Sequence, residues 1–180
     1  MMNIYLKPLS VDDAGDALTW VNDPEVTQYF ANLQKKISLA EEQEYILRLN
    51  QSKNDKAWSI FDKDCQLFNA EEPKSWRDEY IGQCSINQIY WPAKNGRIFL
   101  ALKKEFQGKG FGKKVIRSLI EKAKELNLHK LWLIVRADNK KSQALYLNEG
   151  FDFEGVLKDE YCVDGNYFDM VRMGIILNKG

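Results

Sequence analysis

Hydrophobic positions recur at helical spacing most clearly near the middle of the chain, at Phe111, Val115, Ile116, Leu119, Ile120, Ala123 and Leu126. Lys113, Lys114, Arg117, Glu121, Lys122, Lys124 and Glu125 fall mainly on the other faces, so the stretch predicts an amphipathic helix. Ahead of it, Ile98-Phe99-Leu100-Ala101-Leu102 is continuously apolar, the pattern of a short buried strand. Gln107-Gly108-Lys109-Gly110-Phe111-Gly112 lies between the two. The predicted central unit is strand, glycine-rich loop, helix.

Elsewhere, Ile4, Leu6 and Leu9 suggest a first strand near 3–8. Ser10 with Asp13 opens a helix over about 11–21, and Asp23-Pro24 places an N-cap and a first-turn proline on a second short one. Ser38-Leu39-Ala40-Glu41 is a capping box starting a helix to about 51, with Leu39, Tyr45, Ile46 and Leu49 expected inward. Ala57–Phe61 and Tyr80–Trp91 read as strands around a charged loop over 64–78 that contains Pro73 and Trp76, and Pro92 to Gly96 as a turn. Leu131–Val135 is a buried strand, a short helix spans about 140–149, and Gly150 supplies its left-handed C-cap. Two strands, Phe151–Val163 and Tyr167–Leu177, are joined through Asp164-Gly165-Asn166. The order implies a mixed α/β sheet flanked by helices.

The glycine loop carries candidate chemistry. First-turn N–H groups of a helix lack intrahelical partners and sit at its positive end. Glycines let phosphate oxygens approach those amides, and Lys109, Lys113 and Lys114 add charge. The plainer alternative is a flexible turn that merely starts a helix. Glycine spacing excludes two nucleotide-binding loops. A Walker loop needs Gly, four residues, then Gly-Lys-Ser/Thr, whereas Lys113 follows Gly108 by five. A dinucleotide fingerprint needs a third glycine where Lys113 or Val115 stands.

A second constellation follows Val135. Asn139 sits at a helix start, Ser142 three residues on, and Tyr146 two helical turns from Asn139 on the same side. An N-cap accounts for Asn139 as well as a ligand role does, and a half-buried core position accounts for Tyr146.

Gln-x-x-Gly-x-Gly, together with Asn139, Ser142, Tyr146 and Gly150-Phe151, resembles the cofactor site of the GNAT superfamily of acetyl-CoA-dependent N-acetyltransferases. Trp20-Val21-Asn22-Asp23-Pro24-Glu25-Val26 and the segment from Asp159 through Arg172-Met173 resemble one branch of it. That branch holds the ribosomal-protein N-terminal, spermidine and some nucleotide-amino-sugar acetyltransferases. The likeness covers nearly the whole chain, strongest from Ile98 to Met173.

The resemblance implies a GNAT-like fold of about seven strands, mostly antiparallel and splayed at the cofactor site, with about four helices. It implies acetyl-CoA as acetyl donor, held by main-chain atoms of Leu100, Ala101 and Leu102, by Gln107, Gly108, Lys109, Gly110, Phe111, Gly112 and Lys113, and by Asn139 and Ser142. Tyr146 becomes the general acid that protonates the leaving thiolate. The general base is left open. Gln83, Ser85, Asn87 and Gln88 stand where related polyamine enzymes carry carboxylates, Glu79 is a weak candidate, and a water chain would also serve.

That departure favours a protein N-terminus or an amino sugar as acceptor over a polyamine, which calls for a ring of carboxylates. Glu41, Glu42 and Glu44 read as a solvated helix face, and Trp20, Tyr29, Trp76, Tyr80 and Trp91 could line an acceptor groove or simply pack. A non-catalytic acyl-CoA sensor is the alternative of another class.

Composition narrows the setting. The 180 residues suit one domain, 1–180, burying roughly 70% of its unfolded surface. Lys plus Arg and Asp plus Glu number 26 each, so no global field selects nucleic acid. Cys65, Cys84 and Cys162 form no CxxC pair, which suits reduced thiols in a cytoplasmic protein, and no ligand cluster suggests a metal. No signal-peptide profile or membrane span is visible, and a homodimer is compatible with the reading.

Overall fold

The computed structural model describes residues 4–30, 35–63 and 78–177. The loop expected over 64–78, with Cys65 and Trp76, lies outside them apart from Asp78. Seven strands form one sheet: β1 (Ile4–Pro8), β2 (Lys56–Asp62), β3 (Glu79–Tyr90), β4 (Asn95–Leu102), β5 (Lys130–Arg136), β6 (Asp152–Val163) and β7 (Asn166–Ile176). Their spatial order is β1-β2-β3-β4-β5-β7-β6, and only β4 and β5 pair in parallel. Among the described residues there are five α-helices, α1 (Ala14–Val21), α2 (Pro24–Thr27), α3 (Leu39–Gln51), α4 (Phe111–Glu125) and α5 (Lys140–Asn148). The mixed sheet is the one the sequence pattern predicts and its splay the one the resemblance implies, and the one-turn α2 expected at Asp23-Pro24 brings the helices to five where the resemblance implies about four. No helix among the described residues is long and apolar enough to cross a membrane.

Local signals set most boundaries. Ser10 and Asp13 form a reciprocal capping box that opens a 3-10 turn leading into α1. Asp23 accepts from Glu25 N–H with Pro24 in the first position, and Ser38 with Glu41 repeats the box on α3. The β6–β7 connection is tighter than expected. Val163 pairs with Asn166, and Asp164 (φ 49°) and Gly165 (φ 79°) make a two-residue turn of the left-handed type that matches strand twist.

Helix α4 packs on one face of the sheet. Phe111, Val115, Ile116, Leu119 and Ala123 join Ile86, Ile98, Leu131, Leu133 and Phe151 in the main core. Each large side chain so buried contributes roughly 1.5–3 kcal/mol. The opposite face of β2 to β4 lies under α1 to α3, where Trp20, Val26, Tyr80 and Ala101 pack together. At the β3–β4 junction a Cβ on Gly82 would collide with Ala101 O and lie 2.9 Å from Leu102 Cα. Backbone approaches backbone there because glycine has no side chain.

Helix α3 departs from expectation. Leu39 (47% exposed) and Tyr45 (40%) face outward, whereas Glu42 is 4% exposed. Glu42, Ile46 and Leu49 form the i, i+4, i+7 stripe that packs toward α1 and β2, so Glu42 is not on a solvated face. Burial alone raises its pKa above the usual 4.5. A carboxyl raised on folding supports stability below its unfolded pKa and loses that support as pH rises through its folded value. Glu42→Gln is therefore expected to raise the melting temperature by a few degrees, on the scale of about 2–4 °C per kcal/mol. The gain should be larger at pH 8 than at pH 4 in thermal denaturation followed by circular dichroism. Equal shifts at both pH values would refute it.

Candidate functional site

Strands β4 and β5 pair only from Asn95–Arg97 to Lys130–Trp132. Beyond that rung β4 stays with β3 to Leu102 while β5 stays with β7 to Arg136, so a gap opens between them. Hydrogen bonds at both ends fix which groups face it. Lys130 N–H donates to Lys94 O and Lys103 N–H to Ile81 O, so even-numbered residues of β4 aim their main chain at β5 and odd-numbered ones at β3. Leu100 and Leu102 therefore present backbone to the gap, and Ala101 does not; its own N–H and C=O face β3. Leu102 O accepts from Gln107 Nε2 at 3.0 Å, which ties the loop to the strand end and leaves the Leu102 N–H toward the gap.

The loop ends in a naked helix start. Gly108 (φ 74°) and Gly110 (φ 90°) take left-handed conformations, and Gly110, the N-cap of α4, offers no side-chain hydrogen bond. The first N–H groups of α4 thus have no capping partner. Gly112 lets α5 come close, since a Cβ there would lie 3.1 Å from Leu145 Cδ2.

The cations sort differently from expectation. Lys113 Nζ lies 3.4 Å from Glu149, which also accepts from Arg117 Nε at 2.7 Å, and the Glu149 side chain is only 3% exposed. Lys113 is therefore tied to a carboxylate that it shares with Arg117, one negative charge against two positive ones. Lys109 sits 6.0 Å over the Phe106 ring, in solvent. Lys141, absent from the sequence expectation, comes from the first turn of α5 and places Nζ 3.7 Å from where a Gly108 Cβ would be. It lies two residues past Asn139, and only the packing of α5 beside α4 puts it at the loop.

Asn139 is the N-cap of α5, its Oδ1 accepting from Ser142 N–H at 3.1 Å. That use leaves the Nδ2 donors for a ligand. Tyr146 packs edge-on against Phe151 with centroids 5.6 Å apart, and burial pushes its hydroxyl up to about 12. It stays protonated throughout the physiological range. Of the expected polar positions on β3, Gln83 (2% exposed) and Ser85 (4%) are buried, Asn87 Nδ2 donates to Ser85 Oγ at 3.2 Å, and Gln83 Oε1 and Asn87 Oδ1 have no hydrogen-bond partner among the described residues. Gln88 is exposed and hydrogen-bonded through its backbone to Asp55. Trp20 and Tyr80 are buried and bonded to each other at 3.1 Å, and Trp91 donates to Asn54, so these three pack or bond locally.

The gap between β4 and β5, the uncapped start of α4 and the half-buried phenol of Tyr146 are the features the structure offers an extended ligand with a phosphate at one end. The sequence profile of the acetyltransferase (GNAT) domain matches residues 3–152. The chain is 36% identical over 100 residues to the spermidine N(1)-acetyltransferase of Vibrio cholerae serotype O1, covering 55% of this chain and 58% of that protein. It is 32% identical over 80 residues to a putative ribosomal protein bS18-alanine N-acetyltransferase of Bacillus subtilis, covering 44% and 52%. The chain thus spans a little over half the length of these curated relatives. A crystal structure of the Vibrio cholerae spermidine N-acetyltransferase, in complex with CoA and spermine, superposes with a TM-score of 0.83 at 24% identity, covering 97% of this chain and 95% of that one. At that identity the likeness is one of fold.

The different surroundings of the two lysines predict different effects on coenzyme A. Lys141→Ala should weaken its binding several-fold in calorimetry, with the difference shrinking in 0.5 M salt, while Lys113→Ala should change it by less than about twofold. The reverse ranking would show that the pairing with Glu149 does not keep Lys113 from coenzyme A.

Proposed function

The chain belongs to the GNAT acetyltransferase family, and on that premise we propose that it moves an acetyl group from acetyl-CoA to a primary amine by direct attack. The observation that carries the reading is the parting of β4 from β5 after Arg97 and Trp132, which leaves Leu100 and Leu102 backbone facing a gap that ends at the start of α4. Acetyl-CoA fits that track, with its pyrophosphate at Gly108–Gly112 near Lys141 and its pantetheine amides along Leu100 and Leu102. Asn139 Nδ2 is a further donor to the pantetheine arm. Residues 1–180 act as one domain in this reading.

In the reaction the amine nitrogen bonds to the acetyl carbon, the carbon–sulfur bond breaks, and sulfur takes a proton. Leu100 N–H is a donor for charge developing on the carbonyl oxygen. Tyr146 supplies the proton to sulfur. Its raised pKa does not disqualify it, because the dry surroundings that raise the phenol also raise a thiol placed beside it. The amine, whose pKa is near about 10 when exposed, must first lose a proton. Buried Gln83 and Ser85 and half-buried Asn87 offer acceptors for the amine but no base, so that proton leaves through water.

Relatives named for spermidine and for a ribosomal-protein alanine keep both a polyamine and a protein N-terminus in view as acceptors. A cytoplasmic setting suits the chain's free thiols, and self-association as a homodimer is supported by apolar exposure on the outer hairpin at Phe153 (60%), Val156 (45%) and Tyr167 (66%). Sedimentation velocity should give twice the mass of one chain, and Phe153→Asp should return it to a monomer; a wild-type monomer at micromolar concentration removes the proposal.

The transferase reading predicts acceptor-dependent release of coenzyme A from acetyl-CoA. Tyr146→Phe should lower kcat about 10²–10⁴-fold with little change in coenzyme A affinity. Because Tyr146 titrates only near 12, any loss of activity between pH 9 and 10 should persist unchanged in Tyr146→Phe. Equal turnover of variant and parent would remove the acid role. Tight binding with no turnover on any amine would leave a sensor in its place.

A further inference from the structure

Strand β5 alternates. Leu131, Leu133 and Val135 are buried in the core with α4, and Lys130, Trp132, Ile134 and Arg136 are half-exposed on the other face. The α4 side is filled, so an acceptor reaches the gap from this second face. The last β4–β5 rung, where the strands begin to part, pairs Arg97 with Trp132. Both side chains point to that face, and Arg97 lies 5.8 Å from the indole centroid. Arg172, on β7 opposite Ile134, stacks on the same indole at 4.2 Å with 39% of its side chain exposed.

Two guanidiniums against one indole are poorly compensated. Glu154 is shared, accepting from Arg172 Nε at 3.2 Å and pairing also with Lys130. Arg136 is matched by Asp138 and held between Tyr29 and Phe168. Arg97 has no carboxylate partner among the described residues. Trp132 donates Nε1–H to Asn95 Oδ1 at 3.3 Å, which fixes the ring plane. A stacked guanidinium keeps its N–H edge free, and that fork matches a carboxylate or phosphate in two hydrogen bonds. The closed end of the gap is therefore cationic and aromatic, a surface that repels a polyamine.

We propose that Arg97, Trp132 and Arg172 form an acceptor subsite for an anionic group, so that the amine acetylated by this chain carries a carboxylate or phosphate. The inference rests on the transferase reading for the position of the amine and deepens it. Leu100 lies three residues beyond Arg97, about 10 Å along an extended strand, which sets the approximate separation of nitrogen and anion. A simple α-amino acid is too short to bridge it. An acidic peptide or a nucleotide-linked amino sugar is long enough.

The probes are spermidine, a hexapeptide beginning Ala with acidic residues at positions three and four, and UDP-linked 4-amino sugar. Acetylation of either anionic probe with kcat/KM at least tenfold above that of spermidine supports the subsite, and the favoured probe tells peptide from nucleotide. Arg97→Ala and Arg172→Ala should each raise KM for that probe about tenfold without raising KM for acetyl-CoA, and Arg97→Lys, which keeps charge but loses the fork, should fall between. Preference for spermidine, or acceptor KM values indifferent to both arginines, overturns it. Binding of the anionic probes is read separately, as quenching of Trp132 emission taken as the difference from Trp132→Phe. Saturation abolished by Arg97→Ala supports the subsite even where nothing is acetylated, an outcome that would count against the transferase reading alone. Absence of saturation with both probes overturns the subsite whether or not acetyl-CoA is consumed.

Discussion

Everything proposed for this chain depends on a three-residue parallel pairing. The two parallel strands are held only from Asn95–Arg97 to Lys130–Trp132, and beyond that rung each continues with its antiparallel partner on the other edge. The separation costs the ladder bonds that Leu100 and Leu102 would otherwise make, and backbone groups so exposed need a partner. Packing below the gap keeps it from closing. Leu145 reaches Gly112, and Tyr146 leans on Phe151, so α4 and α5 pack together beneath the place where the two halves of the sheet part.

The two halves are also fastened above. Arg136, at the end of β5, donates to Gln28 O at 3.1 Å and lies against Tyr29 and Phe168, so one guanidinium joins the end of β5, the segment after α2 and the outer hairpin. Phe30 meets Phe99 at 5.2 Å and continues that seam over β4. An opening built from unpaired backbone thus acquires defined walls.

Much of this was legible in the chain, and what was legible is local. The apolar stripe of α4, the capping boxes at Ser10 and Ser38 and the glycines at 108, 110 and 150 act within a turn or two of themselves, so sequence spacing reports them directly. What escaped depends on contacts across long separations. Glu42 reads as a surface charge until α1 and β2 cover it. Lys113 reads as a phosphate ligand until Glu149, 36 positions later, claims it. Arg97, Trp132 and Arg172 are spread over three strands, and no periodicity could have grouped them. The main-chain roles divided the same way: the apolar run 98–102 was visible, but only the ladder's phase tells Leu100 from Ala101.

Gly82 restricts the sequences that can bring β3 against β4 at the edge of the gap. With no side chain between them, β3 and β4 meet at van der Waals distance where β4 ends and the loop begins. A methyl group there would act as a spacer, and its displacement would pass along Leu102 to Gln107 and the loop. Side chains on the open face hold one another, Trp132 to Asn95 and Arg172 to Glu154, and can be exchanged without a backbone clash of that kind. The distance from gap to helix start has no such freedom. It is set by the absence of one carbon atom.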